Sequence, residues 1–186
     1  MTLADVHAQE DTRGVVVDIA GVTRLRQPLR LVDLDGAMQE TIGAFTLGVQ
    51  VGASQKGTHM SRLVQRVRDE ARELSVASIN RVLGVMLDLL DADRGSLSVS
   101  APYFLVVVAP VSGERSLLEC EARLSVEGDR AAHRTSIGVS VPVTSLCPCS
   151  REISDYGAHN QRSMVSIDVV PKRSSRPVPL HWLADL

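Results

Sequence analysis

Residues 116–127, SLLECEARLSVE, alternate in strict period two. Leu118, Cys120, Ala122, Leu124 and Val126 fall on one side, and Glu119, Glu121, Arg123 and Ser125 on the other. Period two is the period of a strand. One dry face and one wet face mark an antiparallel sheet, because parallel sheets bury both faces. Helices need to cover only the dry side, and the sequence supplies two. Met60, Leu63, Val64, Val67, Ala71 and Leu74 recur at helical spacing; Ser75 is placed to cap a second helix carrying Ile79, Val82, Leu83, Met86 and Leu90. Upstream, GVVVDI opens a strand that runs to about Leu31 with an interruption near Pro28, and TIGAFTLGVQV follows from Thr41. SLSVSAPYFLVVV completes the set ahead of SLLECEARLSVE. Residues 14–128 therefore read as strand, strand, helix, helix, strand, strand, preceded by a polar arm, 1–13.

Residues 129–186 begin the same order again. In HRTSIGVSVPV the residues Ile137, Val139, Val141 and Val143 share a face, and in SMVSIDVV so do Val165, Ile167 and Val169. A Pro-rich turn then leads to a helix start with Leu180, Leu183 and Ala184. The repeat stops inside its first helix. The expectation is an α+β chain of one whole and one partial unit, part of a longer protein. It leaves Ile137, Val139, Val165 and Ile167 uncovered, so that copies associate. Of 186 residues, 44% are hydrophobic, enough for a sizeable core, and the net charge of −2 gives no electrostatic reason for nucleic-acid binding. No apolar run reaches bilayer length, which argues against membrane insertion. Three cysteines without an export signal point to the cytoplasm.

Chemistry concentrates in two segments. In SLCPCSREISDYGAHNQRS, Pro148 pushes Cys147 toward an extended backbone, which would aim Cys147 and Cys149 to one side. Ser150 is placed as an N-cap, Glu152 in the first turn and Gly157 as a stop, so a short helix would return His159 toward the cysteines. Their spacing also discourages a disulfide between them. Cys147, Cys149 and His159 fit a metal site with an open position, a thiol nucleophile with its base, or a core cysteine beside an exposed loop histidine. Cys120, in the apolar set of a strand, reads as core. The second segment is QKGTHMSR, 55–62. Gly57 precedes a helix start flanked by Lys56 and Arg62, an arrangement that attracts phosphate but also suits an ordinary capped helix with solvated charges. His59 could donate a hydrogen bond or serve as an acid there, and Arg162 lies close to His159 in sequence.

VPVTSLCPCSREISDYGAHNQRS and KGTHMSR resemble the two signature segments of the type IB GTP cyclohydrolases, and RGVVVDIAGVTRLRQPLRLVDLDG resembles the family's opening strand and turn. The resemblance covers residues 13–186. It implies the tunnelling fold, with tandem ββααββ units in antiparallel sheets that close into barrels between subunits of a homo-oligomer, and active sites at the interfaces. It implies conversion of GTP and water to formate and dihydroneopterin triphosphate, a step toward folate. It implies a divalent metal, zinc or alternatively manganese or iron, held by Cys147 and His159, with Cys149 polarising or positioning beside them. Lys56, Thr58, His59, Arg62 and Arg162 would then face the triphosphate. The family's chains continue past this point. Their remaining carboxylates fall beyond Leu186, and Glu152 and Asp155 match neither missing role, so this chain alone is expected to be inactive on GTP. Two alternatives accompany this: another tunnelling-fold enzyme with a cysteine nucleophile, and a remnant that binds metal or assembles without chemistry.

Overall fold

The structure is a computed structural model and describes residues 11–155, 159–172 and 178–184. Seven strands form one sheet: β1 (Val17–Val32), β2 (Met38–Val51), β3 (Glu73–Leu74), β4 (Arg94–Val108), β5 (Arg115–Asp129), β6 (His133–Leu146) and β7 (Asn160–Val169), in the spatial order β3-β1-β2-β4-β5-β6-β7. Every neighbouring pair is antiparallel except β1 with the two-residue β3. The helices are α1 (Met60–Glu70), α2 (Val76–Leu90), α3 (Pro148–Ile153) and α4 (Leu180–Ala184). The class is α+β, as the alternation requires. The boundary expected at 128/129 falls at the turn from β5 into β6, and β6 and β7 continue the same sheet.

The dry face carries Phe45, Leu47, Val49, Leu97, Val99, Cys120, Ala122, Leu124 and Val126. Against it lie Leu63 and Val67 of α1 and Ile79, Val82, Leu83, Met86 and Leu87 of α2. Each such side chain contributes about 1.5–3 kcal/mol on burial. Ser75 caps α2 as its sequence requires: its hydroxyl accepts from the Ser78 amide at 3.1 Å, and Ser78 returns the bond to the Ser75 amide at 2.8 Å. Among the described residues no helix is long and apolar enough to cross a membrane.

Two expectations are corrected. β1 is not interrupted at Pro28, which pairs with Ile42 in an unbroken register. There β1 has only β2 beside it, since β3 reaches just Arg30 and Leu31, so the absent N–H faces no missing partner. The register shifts lie instead between Val17 and Ala20 and between Val22 and Leu25, and in the second Arg24 adopts a φ of 56°. Nor are Ile137 and Val139 uncovered: both are buried, because α2 reaches β6 and α4 packs on it. Val165 does remain 44% exposed.

Asp33, at the turn after β1, holds α4 in place. Its Oδ1 accepts from the Leu180 amide at 2.9 Å and the Leu34 amide at 2.7 Å, and its Oδ2 from Tyr103 Oη at 3.3 Å. Burial pushes the Asp33 carboxyl upward, but the Leu180 and Leu34 amides and His181 outweigh it and leave it below the usual carboxylate range.

Candidate functional site

Cys147 follows the last residue of β6 and caps α3 with an extended backbone. Pro148 occupies the first helical turn, where its fixed φ and missing amide cost nothing. The helix thus starts earlier than Ser150 predicts, and the cap is Cys147. Cys149 consequently lies inside the helix and is exposed, whereas Cys147 is buried at 7% exposure. The expected extended geometry with both thiols aimed together does not form. The Cys147 side chain makes no cap bond to α3, but the start of the helix lies close enough to act on its ionisation. The Ser150 amide and hydroxyl, with smaller help from the Cys149 amide and thiol, hold the Cys147 thiol below its ordinary value against a desolvation penalty.

The β6–β7 ladder places His159 across from Cys147. Its last described pair is Leu146 with Asn160, and one step further the Cys147 amide donates to the His159 carbonyl at 3.1 Å. Ser150 ties the other side: its Oγ accepts from the His159 amide at 3.2 Å and lies 3.2 Å from the Cys147 carbonyl, to which it donates. Arg162 is exposed on β7, opposite Thr144. Gly157 lies outside the described residues. The contacts that tie Cys147 to His159 run through their backbone atoms: among the described residues, Cys147, Cys149 and His159 do not bring three ligand atoms within 4.8 Å of one another. By residue type, a thiol and an imidazole are donors suited to zinc or another borderline divalent ion.

Lys56, Thr58, His59 and Arg62 sit elsewhere. They follow β2 and open α1, whose cap residue His59 makes no side-chain cap bond. A cavity of about 320 Å³ is lined there by Asp11, Arg13, Gln55, Lys56, Gly57 and Thr58 among others. The Thr58 hydroxyl is buried and, among the described residues, finds no hydrogen-bond partner. Arg13 grips Asp11 through bonds of 2.7–3.0 Å and, with a smaller pull from Lys56, brings its carboxyl down to about 2. This corner already holds one carboxylate among cations.

The two groups lie at opposite ends of the sheet. Val49 pairs with Gly95, Arg94 with Asp129 and Gly128 with His133, so β2 ends where β6 begins. Cys147 lies beyond the other end of β6, a 14-residue strand that spans on the order of 45 Å. β4 and β5 also intervene. One chain does not bring Lys56–Arg62 to Cys147 and His159. A groove of about 870 Å³ crosses the wet face between them, lined by Arg24, Arg26, Glu119, Glu121, Arg123 and Asp168 among others, but by none of the expected site residues.

Sequence inspection did not find one further cluster, Asp33, Asp35 and His181, whose ligand atoms lie within 4.8 Å of one another. No spacing rule links residues 148 positions apart.

The sequence model of the family described as "Type I GTP cyclohydrolase folE2" matches residues 3–186. Among curated proteins, the GTP cyclohydrolase FolE2 of Paraburkholderia xenovorans is 45% identical over 166 residues, covering 89% of this chain and 62% of that protein. The GTP cyclohydrolase FolE2 of Nitrosomonas eutropha is 44% identical over 170 residues, covering 90% and 63%. That of Methylobacillus flagellatus is 42% identical over 165 residues, covering 89% and 62%. The chain thus spans less than two thirds of the length of these relatives.

Proposed function

The chain belongs to the FolE2 family of type I GTP cyclohydrolases, and from that premise we propose that it is the part of a GTP cyclohydrolase that supplies Cys147 and His159 to a divalent metal, zinc first among them. The reaction is opening of the guanine imidazole ring of GTP, loss of C8 as formate and reclosure to dihydroneopterin triphosphate. The observation that supports this is the Cys147 amide donating to the His159 carbonyl at 3.1 Å, which brings the two backbones together just beyond the ends of β6 and β7. A divalent ion there would supply Lewis-acid chemistry and lower the pKa of water toward about 7. The chain's own residues do the rest. The start of α3 favours the Cys147 thiolate, Ser150 pins the His159 backbone, and Cys149 stands beside Cys147 as a positioning thiol.

The triphosphate would be held by Lys56, Thr58, His59 and Arg62, joined by Arg162. Since the first four lie at the far end of the sheet, they come from another copy. We therefore propose a tunnelling-fold homo-oligomer with active sites shared between subunits, working in the cytoplasm, where Cys120, Cys147 and Cys149 stay free thiols. The test is formate release from GTP with Zn²⁺ or Mn²⁺, on this chain and on the chain extended to the length of its relatives. Turnover by the extended form, abolished by Cys147→Ala, is expected. No turnover with any divalent ion would end the cyclohydrolase assignment. Alkylation of Cys147 that is insensitive to zinc, together with loss of activity on alkylation, would favour a covalent thiol instead.

A further inference from the structure

We infer that Arg123 and Asp168 are positioning residues: they set the register of β7 and so bring His159 up to Cys147. The inference rests on the reading that Cys147 and His159 hold one ion. Among the described residues β7 is the last strand of the sheet, with only β6 beside it. Two features that commonly fix a strand's register do not fix this one. The β6–β7 connection runs from Leu146 to Asn160 through α3, so no tight turn dictates the pairing. The apolar pattern does not dictate it either. Val165, Ile167 and Val169 pair with Val141, Val139 and Ile137. All six are β-branched aliphatic residues at every second position, so a slip of two residues exchanges like for like and keeps the same face inward. Asn160 to Ser166 are exposed, and on β7 only Ile167 and Val169 are partly buried.

The polar face breaks this degeneracy. Arg123 on β5, Gly138 on β6 and Asp168 on β7 lie in one row across three strands. Arg123 reaches over Gly138 and grips both oxygens of Asp168, Nε donating to Oδ1 at 3.3 Å and Nη2 to Oδ2 at 3.0 Å. Such a fork fixes direction as well as distance. Gly138 is the single glycine of β6, and a Cβ there would collide with Asp168 Oδ1. A slip of two residues would set Asp168 against Ser136 or Ser140, where a Cβ takes up that space. The next row adds to the lock. Arg123 also donates to the buried Ser140 hydroxyl, which exchanges a hydrogen bond of 2.7 Å with Ser166. After the slip Ser166 would face Gly138 or Pro142, and Ser140 would lose that partner. The same slip would carry His159 roughly 7 Å along the ladder, away from Cys147.

The experiment uses the full 186-residue chain, metal-free, with cysteine pairs as register reporters. Val141→Cys with Val165→Cys reports the observed pairing. Val139→Cys or Val143→Cys with Val165→Cys reports the two slipped ones, because a disulfide requires Cα atoms within about 7 Å. After mild oxidation, the bridges are assigned by peptide mass mapping. With Arg123 and Asp168 in place, the first pair should bridge about tenfold more than either slipped pair. Asp168→Asn and Arg123→Lys should each raise the slipped bridges about threefold or more. In chains without the reporters, both should weaken Zn²⁺ binding, read by equilibrium dialysis, about tenfold. Asp168→Glu, which keeps a carboxylate for the fork, should hold both readouts near the parental values. Slipped bridges as scarce in both variants as in the parent would overturn the lock. Slipped bridges with Zn²⁺ binding undiminished would overturn its role in placing His159. The bridges form without metal, so a parent chain that binds no Zn²⁺ would end the reading of Cys147 and His159 while the register result stands.

Discussion

The two ends of the sheet solve opposite problems. At the Cys147 end the backbone closes on itself: the β6–β7 ladder, the α3 amides and the Ser150 hydroxyl satisfy one another within 13 residues of sequence. What remains available is a soft sulfur and an imidazole. At the Lys56 end the helix has no side-chain cap and, among the described residues, the buried Thr58 hydroxyl has no hydrogen-bond partner. An unpaired buried polar group costs about 1–3 kcal/mol, so such a corner is improved by a ligand that brings acceptor oxygens. On the proposed reading the first end takes a cation and the second an anion, and the length of β6 keeps them apart. A substrate that needs both would then lie between copies.

The largest effect tests that separation directly. In the chain extended to its relatives' length, Cys147→Ala should lower formate release by three orders of magnitude or more, and Lys56→Ala with Arg62→Ala by a comparable factor; loss of positioning alone can remove several kcal/mol, at about tenfold per 1.4 kcal/mol. Mixed and reassembled, the two inactive proteins should regain turnover, since some interfaces then receive an intact Cys147 end from one copy and an intact Lys56 end from the other. Mixtures as inactive as their parents would mean that one chain supplies both groups.

Next in size is a double dissociation. Cys147→Ala or His159→Ala should weaken zinc binding by about tenfold or more at that end while tripolyphosphate binding, followed by calorimetry, stays at the parental value. Lys56→Ala should do the reverse, costing roughly tenfold in tripolyphosphate affinity, as expected for a charge-assisted contact worth about 1.5–3 kcal/mol. Both ligands weakened by either substitution would break the comparison, because the ends would then be coupled.

How much of this was legible in the sequence depends on the range of the force involved. The period-two run of β5 and the apolar face of α2 are local patterns that the structure follows to within a residue or two, whereas the first helical run, read as far as Leu74, ends at Glu70, and Leu74 belongs to the two-residue β3. Ser75 was readable as a cap because capping is a matter of three residues. Cys147, Cys149 and His159 were readable as candidates from residue type and spacing. Their geometry was not, because one proline can either extend a strand or start a helix, and here it starts α3. Arg24, not Pro28, carries the distortion of β1, since edge position decides what a proline costs. Asp33 and His181 meet only after the whole sheet has formed, so nothing near either residue announces the contact.

A smaller effect asks whether the ladder is what sets the Cys147 end. Gly138 on β6 faces Asp168 on β7, and a Cβ there would come within 2.0 Å of Asp168 Oδ1. Asp168 also pairs with Arg123 at 3.0 Å, and Arg123 reaches Ser140. Gly138→Ala should therefore displace this clasp and destabilise the fold by about 1–3 kcal/mol, read from chemical denaturation. Zinc binding at Cys147 and His159 should weaken with it, and tripolyphosphate binding should not. An unchanged stability would show that β7 is placed without the clasp.

The smallest effect isolates one hydroxyl. Ser150 lies against the Cys147 sulfur, the Cys147 carbonyl and the His159 amide at once. The Ser150 amide is the largest influence holding the thiol low and survives substitution, so Ser150→Ala should raise the Cys147 pKa only part of the way back toward about 8.5. In metal-free protein, peptide-resolved alkylation should show the Cys147 midpoint moving to higher pH and its rate at pH 7 falling. The sign for stability follows from ionisation. A thiol whose folded pKa lies below the unfolded one stabilises the fold above the unfolded pKa, and loses that contribution as pH falls through the folded pKa. The gap in Tm between parent and Ser150→Ala should therefore be wider at pH 9 than at pH 6. Equal gaps at both would leave the hydroxyl with a role in pinning His159 but none in ionising Cys147, and would assign the whole of the thiolate's stabilisation to the start of α3.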